Sequence, residues 1–435
     1  MSVPSRPRAA ALVMLLTLVS AGLSGCSSEH PDANRADPLA SGGAGSAEAK
    51  PPTPPAPKPE GAPGDILVGG RPVTGSVASG HPKAPFKRTY TDGELYSSVT
   101  GYRSMAFGDT QLEGVLREGF ETGKDVATTI DPVAQRAAFD ALRGRIGAVV
   151  ALDARTGEVA ALVSAPTYDP NTFSGYHTDD EKAWKQLTAD ARKPLVNRAL
   201  RDDHNPGSAA HVIVAAAALE KGLLATVDTP TRSPAVHTVP DSAAQFSGDP
   251  AHCTDASLRA ALRYACPNVF ARLAADLGAD TLAATAESFG FNTEKMDTPV
   301  RAFVSKWPRQ PGNAAQLALT ANGLFDTTAT PLQMAIVMGA IGNGGTWVSP
   351  RVVTDPKTPE AGRRAVSEHT ADQLRSAVGN SVTAWVPSAS GTWAMAYTQT
   401  PDARPLAVAV FLSSGADTTQ EAAQIAGRIA EAAKR

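Results

Sequence analysis

Two nearly continuous apolar runs, at residues 147–153 and 159–164, constrain the fold of this chain more than any other feature. The turn-forming sequence Arg155-Thr-Gly-Glu158 separates them. Because neither run has a polar face, the pattern predicts a β-hairpin that is buried on both sides. A further strand is expected at residues 407–412, and helices are expected at residues 133–143, 208–219, 256–277, 331–341 and 419–433. Strands on both sides of a largely helical region predict an α/β or α+β fold.

The first residues predict export from the cytoplasm. Arg6 and Arg8 precede an apolar run at residues 9–23, which has the length of a signal-peptide core and is short for a membrane span. The run ends in Leu23-Ser-Gly-Cys26, which resembles the lipobox of bacterial lipoproteins. That resemblance implies a signal peptide at residues 1–26 and a lipid anchor on Cys26, which would hold the protein on the outer face of the cytoplasmic membrane. The alternative is an ordinary secretory signal that contains a chance cysteine.

The next segment, residues 27–64, is rich in Pro, Ala, Ser and Gly and has almost no large apolar side chain. Such a segment cannot bury enough surface to offset the entropy lost on ordering, so a disordered spacer is predicted. We expect folding to begin at Asp65. The remaining chain is divided into a small domain at residues 65–125 and a larger domain at residues 126–435.

Charge and residue spacing exclude several functions. The chain has 40 Lys and Arg against 43 Asp and Glu, a net charge of −3, so it has no basic field that would attract nucleic acid. No group of His, Cys, Asp and Glu has the spacing of a metal site, and His204 and His211 are seven residues apart. We therefore expect no metal, no cofactor and no nucleic-acid partner.

Seven segments, in order along the chain, resemble class B penicillin-binding proteins of the actinomycete type, the D,D-transpeptidases of peptidoglycan synthesis. They lie at residues 64–73, 93–102, 129–132, 147–153, 168–171, 197–200 and 329–335. The resemblance covers nearly everything from Asp65 onwards. It implies a transpeptidase domain of the penicillin-binding-protein and serine β-lactamase type, preceded by a small strand-rich domain.

The chemistry of this family implies three motifs: Ser-x-x-Lys at the start of a helix, Ser-x-Asn on a loop, and Lys-Thr-Gly on the edge strand of the sheet. The first corresponds to Ser208-Ala-Ala-His211, in which the nucleophile is present and His replaces Lys. A neutral imidazole is a plausible general base near pH 7, but it is shorter than a lysine side chain. The alternative is a helix-capping Ser with a His packed one turn later.

The other two motifs are also altered. The second corresponds to Ala265-Cys-Pro267, so both the Ser and the Asn are replaced, and Asn268 could substitute only if the loop shifts by one residue. The third is aligned with Ala389-Ser-Gly-Thr392, which lacks the cation. Ser390, Gly391 and Thr392 are predicted to keep part of a substrate groove, because backbone donors do not depend on side-chain identity.

Two cysteines other than Cys26 flank a helix-like stretch. Cys253 and Cys266 would both meet an oxidising compartment after export, which predicts a disulfide beside the altered cleft. Two buried thiols are the alternative, because the sequence does not show whether the two residues are close enough.

Two functions follow from these patterns. The first is a binding or regulatory homologue that recognises a peptidoglycan stem peptide or a β-lactam, with cell-wall synthesis proteins as further partners, and that no longer turns peptide over. The second is an active serine D,D-transpeptidase or carboxypeptidase that is acylated at Ser208 with His211 as its base. Loss of three motif functions in one site favours the first.

Overall fold

The structure is a computed structural model. It describes residues 58–294, 296, 298–354, 362–379, 383–388, 391–398, 404–413 and 418–432. The predicted signal peptide, the lipidation site Cys26, most of the predicted spacer and Ser390 lie outside the described residues. Within the described part of the chain, no helix combines the length and the apolar character that a membrane span requires.

Sixteen strands and fifteen α-helices are found in the described residues. The strands are β1 (Ile66–Val68), β2 (Arg71–Pro72), β3 (Thr74–His81), β4 (Ala84–Tyr90), β5 (Arg103–Ser104), β6 (Gly108–Asp109), β7 (Val126–Ala127), β8 (Gly147–Asp153), β9 (Val159–Ala165), β10 (Val236–Thr238), β11 (Gln245–Ser247), β12 (Thr346–Trp347), β13 (Arg363–Arg364), β14 (Thr383–Ser388), β15 (Gly391–Thr398) and β16 (Leu406–Ser413). The helices are α1 (Gly93–Thr100), α2 (Gln111–Val115), α3 (Arg117–Glu121), α4 (Pro132–Ala141), α5 (Thr178–Ala189), α6 (Arg198–Arg201), α7 (His211–Glu220), α8 (Pro250–Cys253), α9 (Leu258–Tyr264), α10 (Pro267–Leu277), α11 (Ala279–Ser288), α12 (Ala314–Ala321), α13 (Pro331–Gly342), α14 (Glu368–Val378) and α15 (Thr418–Ala432). Short 3₁₀ turns lie at Pro170–Thr172 and Gly207–Ala210.

The centre of the described fold is a five-stranded antiparallel sheet in the order β14-β15-β16-β8-β9. Every residue of β8 and of β9 is buried, as the two apolar runs predict. Helices α4 and α15 pack on one face of the sheet, and α13 packs on the other. All twelve residues of α13 are buried, because α13 packs against the sheet and against helices α6 and α14.

The N-terminal part is packed against this sheet. Strand β1 pairs with β2 and, in parallel, with β7, while β3 and β4 form a separate hairpin. The last residues of the predicted spacer belong to the fold: Lys58 forms ion pairs with Asp65 and Asp125, at 3.4 and 2.9 Å, and the Gly64 amide donates to the Phe120 carbonyl. The described structure therefore includes contacts made by residues that precede Asp65.

A buried ion cluster lies in the N-terminal part. The Arg88 side chain is 2% exposed; its Nε donates to Glu113 Oε1 at 2.6 Å and its Nη1 donates to Asp65 Oδ1 at 3.0 Å. The Arg88 Nη2 group donates to Thr74 Oγ1 at 2.9 Å. Burial raises the pKa of Glu113, and the Arg88 charge opposes that rise. A buried pair of this kind depends on both partners, because either charge alone would be uncompensated.

Candidate active site

Ser208 lies on the 3₁₀ turn Gly207–Ala210, which leads directly into helix α7. Its side chain is partly exposed, whereas the residues on either side are buried. Gly207 has a φ of 54°, and its amide donates to the Gly323 carbonyl at 3.0 Å. A Cβ atom at Gly323 would lie 2.2 Å from the Gly207 carbonyl oxygen, so this approach requires glycine. The turn presents the candidate nucleophile at the N-terminus of a buried helix.

His211 is the first residue of α7 and is fully buried. Its ring stacks on Phe270 of α10, with centroids 3.8 Å apart and planes 16° apart. Its Nε2 atom lies 2.9 Å from Asn322 Oδ1. The Asn322 amide group donates to the carbonyls of Ala318 and Pro267, at 2.8 and 3.4 Å, so the Asn322 oxygen faces His211 and must accept. His211 therefore carries its proton on Nε2.

The remaining imidazole nitrogen is the only one that could accept a proton. His211 Nδ1 has no hydrogen-bond partner among the described residues, so the Ser208 hydroxyl does not donate to it. Burial lowers the pKa of His211 from 6.5 to about 3, although the Asn322 hydrogen bond opposes the shift. A general base works best with a pKa near the operating pH. A deficit of about 4 pKa units makes proton transfer less favourable by about 5 kcal/mol.

The second motif forms the junction of two helices. Ala265 ends α9 in the left-handed region, with φ 50° and ψ 57°, and Pro267 is the first residue of α10. Asn268 is fully buried, and its Nδ2 group donates to the carbonyls of Pro234 and Cys253, at 2.7 and 2.8 Å. The Asn268 amide is thus used inside the protein. The structure brings this junction beside His211, because Asn322 bonds both His211 and Pro267.

A disulfide joins Cys253 and Cys266, whose Cα atoms are 5.4 Å apart. It links the end of α8 to the residue that precedes α10. The Asn268 side chain bonds the Cys253 carbonyl on the same loop, so a covalent bond and a hydrogen bond hold the same junction. A Cβ atom at Gly248 would lie 2.6 Å from the Cys253 sulfur, which shows how closely the loop packs.

The predicted position of the third motif is wrong. The edge strand of the sheet is β14, and β14 packs beside the turn that carries Ser208. Gly391 and Thr392 instead begin β15, which has a neighbour on each side and is buried. A Cβ atom at Gly391 would lie 2.3 Å from the Leu412 carbonyl oxygen, so the space at this glycine is filled by the protein itself.

The apolar pattern of the sequence does not determine the order of these strands, and Asn322 was not among the predicted site residues. This residue connects α7, α10 and α12, and the Asn322-Gly323 dipeptide was the one signal that marked it as part of a turn. In the described part of the chain, no group of three or more His, Cys, Asp or Glu side chains is arranged to hold a metal ion. Cys26 and Ser390 lie outside the described residues, so they are not part of this geometry.

Two family models match successive parts of the chain. The family model of the penicillin binding protein transpeptidase domain matches residues 147–396, and that of the penicillin binding protein A dimerisation domain matches residues 63–142. The peptidoglycan D,D-transpeptidase PbpA of Mycobacterium tuberculosis is 35% identical over 353 residues, which are 72% of this chain and 71% of that protein. PbpA of Mycolicibacterium smegmatis is 34% identical over 352 residues, again 72% of this chain and 71% of that protein.

Solved structures give the same result. The crystal structure of PBPA from Mycobacterium tuberculosis superposes on this chain with a TM-score of 0.77 and 30% sequence identity. The match covers 86% of this chain and 100% of that chain. The penicillin G acyl-enzyme complex of penicillin-binding protein A from the same organism matches with the same TM-score, identity and coverage. The expected fold, a transpeptidase domain with mixed helices and strands behind a smaller N-terminal domain, is confirmed. The chain therefore belongs to the penicillin-binding proteins that carry a peptidoglycan transpeptidase domain.

Proposed function

We propose that this penicillin-binding protein binds the ends of peptidoglycan stem peptides, or β-lactams that resemble them, without turning them over. The observation that carries the proposal is the state of His211. The position that would hold the activating lysine holds a buried, neutral imidazole whose Nε2–H bonds Asn322. Its Nδ1 has no hydrogen-bond partner among the described residues, so the Ser208 hydroxyl is left without this base.

The other two motifs also lack the side chains that catalysis needs, which supports the same proposal. Ala265 has no hydroxyl to relay a proton, and Pro267 has no amide group to hold a substrate. The residues that lead into the edge strand β14 are Asn380-Ser-Val382. We assign the third motif to this segment, which lies outside the described residues; it contains no cation. Loss of one member of such a catalytic unit can cost on the order of 10⁴ to 10⁶ in rate.

Features that bind rather than react are retained. Ser208 is accessible at the N-terminal turn of α7, where backbone amides favour anionic groups. Strand β14 has one strand neighbour in the described sheet, which leaves its other edge for an extended peptide. The relative from Mycobacterium tuberculosis forms acyl-enzyme complexes with penicillin G and with ceftriaxone. Related ligands are therefore the ones to test first.

The alternative is weak catalysis, in which Ser208 is acylated and His211 accepts its proton. The partial exposure of Ser208 at the start of α7 favours this alternative. It requires His211 to rotate away from Asn322 and Phe270, which would break the 2.9 Å hydrogen bond and the ring stacking.

Export places the protein on the wall side of the cytoplasmic membrane, where stem peptides and other cell-wall synthesis proteins are available. We propose that Cys26 carries the lipid anchor and that the Pro-rich segment spaces the folded part from the membrane. Fractionation of cells that produce Cys26→Ser tests the anchor: release of the variant from the membrane fraction supports it, and unchanged membrane association contradicts it.

A test of acylation by a β-lactam distinguishes binding without turnover from weak catalysis at Ser208. The purified protein is incubated with millimolar fluorescent penicillin and its intact mass is measured, together with a Ser208→Ala variant. We expect no adduct on either protein, because no base activates Ser208. In parallel, ligand-observed NMR with an acyl-D-alanyl-D-alanine peptide should detect binding to both proteins, and no D-alanine should be released. An adduct that is lost in Ser208→Ala would establish the alternative, and absence of all binding would contradict the proposed function.

A further inference from the structure

Phe325 has an unfavourable backbone conformation, on a loop that is hydrogen-bonded to the segment leading to the candidate nucleophile. Nine described residues other than glycine have a positive φ, and only Ala265 and Phe325 among them are apolar. Phe325 has a φ of 60° and is 38% exposed. A bulky side chain is rare in this region, where glycine or asparagine would turn the chain with less strain. An exposed, strained aromatic residue therefore requires a separate reason.

The loop that carries Phe325 is fastened to the turn that presents Ser208. The Gly207 amide, directly before Ser208, donates to the Gly323 carbonyl at 3.0 Å. Asn205 Nδ2 donates to the carbonyls of Phe325 and Thr327, at 3.2 and 2.6 Å. The Asn205 carbonyl in turn accepts from Trp393 Nε1 at 3.0 Å. These bonds fasten the backbone of the Phe325 loop to the residues that precede Ser208, and none of them involves the Phe325 ring.

The Phe325 ring lies outside the buried hydrophobic core. Phe325 belongs to none of the hydrophobic clusters formed by the described residues, and its ring stacks on no described aromatic ring. The hydrogen bond at this position uses the Phe325 carbonyl oxygen, which any residue provides. Strained backbone conformations of this kind cluster at active sites and ligand clamps, so a ligand contact is the role to test.

We propose that Phe325 is an apolar contact for ligands held at Ser208, and that it selects acyl-D-amino-acid compounds and β-lactams with an aromatic or aliphatic acyl side chain. The inference rests on the proposed function, since it needs a ligand at Ser208. It adds to that function the chemical class of the acyl side chain that the ligand carries. A flat apolar ring on the rim gains by covering such a group and gains little from a ligand that lacks it.

The test compares penicillin G, which has a benzyl side chain, with 6-aminopenicillanic acid, which has none. Dissociation constants are measured by ligand-observed NMR for the wild type, Phe325→Asn and Phe325→Leu. Asparagine tolerates a positive φ and removes the apolar surface, whereas leucine keeps much of it. Lys193→Asn is the matched control, because Lys193 is also exposed, with a φ of 51°, in a different loop.

We expect the wild type to prefer penicillin G by about tenfold. Phe325→Asn should lose that preference, Phe325→Leu should keep most of it, and Lys193→Asn should not change it. Thermal midpoints should not fall in Phe325→Asn. An unchanged ligand preference, or a large loss of stability in Phe325→Asn, would overturn the inference and give Phe325 a structural role. Failure of the wild type to bind either compound would contradict the proposed function itself. If these compounds acylate the wild type, the ratio of the acylation rates for penicillin G and 6-aminopenicillanic acid replaces the ratio of their dissociation constants.

Discussion

Replacement of His211 by lysine should destabilise the protein by about 4 kcal/mol and restore no peptide turnover. The site is fully buried, and burial already lowers the pKa of the His211 imidazole to about 3. A lysine there would have to lose its charge or keep it without water. A lowering of its pKa by about three units costs about 1.4 kcal/mol per unit at neutral pH. The free energy of unfolding decreases because the unfolded chain binds a proton on this lysine that the folded chain binds poorly.

Urea unfolding at pH 7.5 measures this effect, with His211→Gln as the control. Glutamine is neutral and can donate to Asn322 Oδ1, so its cost should be smaller, about 1–2 kcal/mol. Release of D-alanine from an acyl-D-alanyl-D-alanine peptide measures turnover. The lysine variant should release none, because Ala265 and Pro267 remain in the second motif. A stable His211→Lys protein that turns peptide over would mean that the other motifs do not limit activity.

Removal of the disulfide should lower stability by about 3 kcal/mol. The bond between Cys253 and Cys266 spans 13 residues, and closing a loop of about that length removes entropy from the unfolded chain. The double variant Cys253→Ala with Cys266→Ala should unfold at a lower urea concentration than the oxidised wild type. The loop also contains the Cys253 carbonyl that accepts from Asn268, so loss of the bond loosens the junction beside His211.

Reduction of the wild type provides the matched control for this variant. Dithiothreitol should lower the unfolding midpoint of the wild type towards that of the double variant and should leave the double variant unchanged. Equal midpoints for all samples would show that the two cysteines do not stabilise the fold through a disulfide. A drop in the double variant alone would point to lost packing of the buried sulfur atoms instead.

Several elements of the fold could be predicted from apolar runs and the turn residues that bound them. The runs that became β8 and β9 are continuously apolar, and both strands are buried on each face. Helix α7 was expected because an Ala- and Val-rich stretch follows Pro206-Gly207 and ends before Gly222. Such signals are local, since they depend on neighbouring residues and on the period of the element.

The candidate site was harder to predict because its properties come from distant residues. Ser208 and His211 were identified from the sequence, but the buried state of His211 depends on Asn322, 111 residues further along the chain. Phe270, on which the His211 ring stacks, is also distant in the sequence. No local pattern reports that an imidazole will be desolvated, so the sequence left a catalytic role for His211 open.

The position of the third motif was predicted wrongly for a different reason. Its position was inferred from Ser390-Gly391, but the strand order depends on pairing between β14, β15 and β16. Hydrogen-bond registers of this kind join residues that are far apart, and a Ser-Gly pair does not distinguish an edge strand from its neighbour. Lys58 also lies before the predicted start of folding at Asp65, and its ion pairs with Asp65 and Asp125 leave no signal in an apolar pattern.

The central claim is that His211 is a neutral, buried side chain and not the base of Ser208. Histidine-selective ¹⁵N labelling and NMR titration from pH 8 to pH 4 measure this directly, with His211→Gln to assign the signal. We expect the His211 ring to stay neutral, protonated on Nε2, with no titration between pH 5 and pH 8, in keeping with a pKa of about 3. Titration near pH 6 to 7, or protonation on Nδ1, would contradict the account.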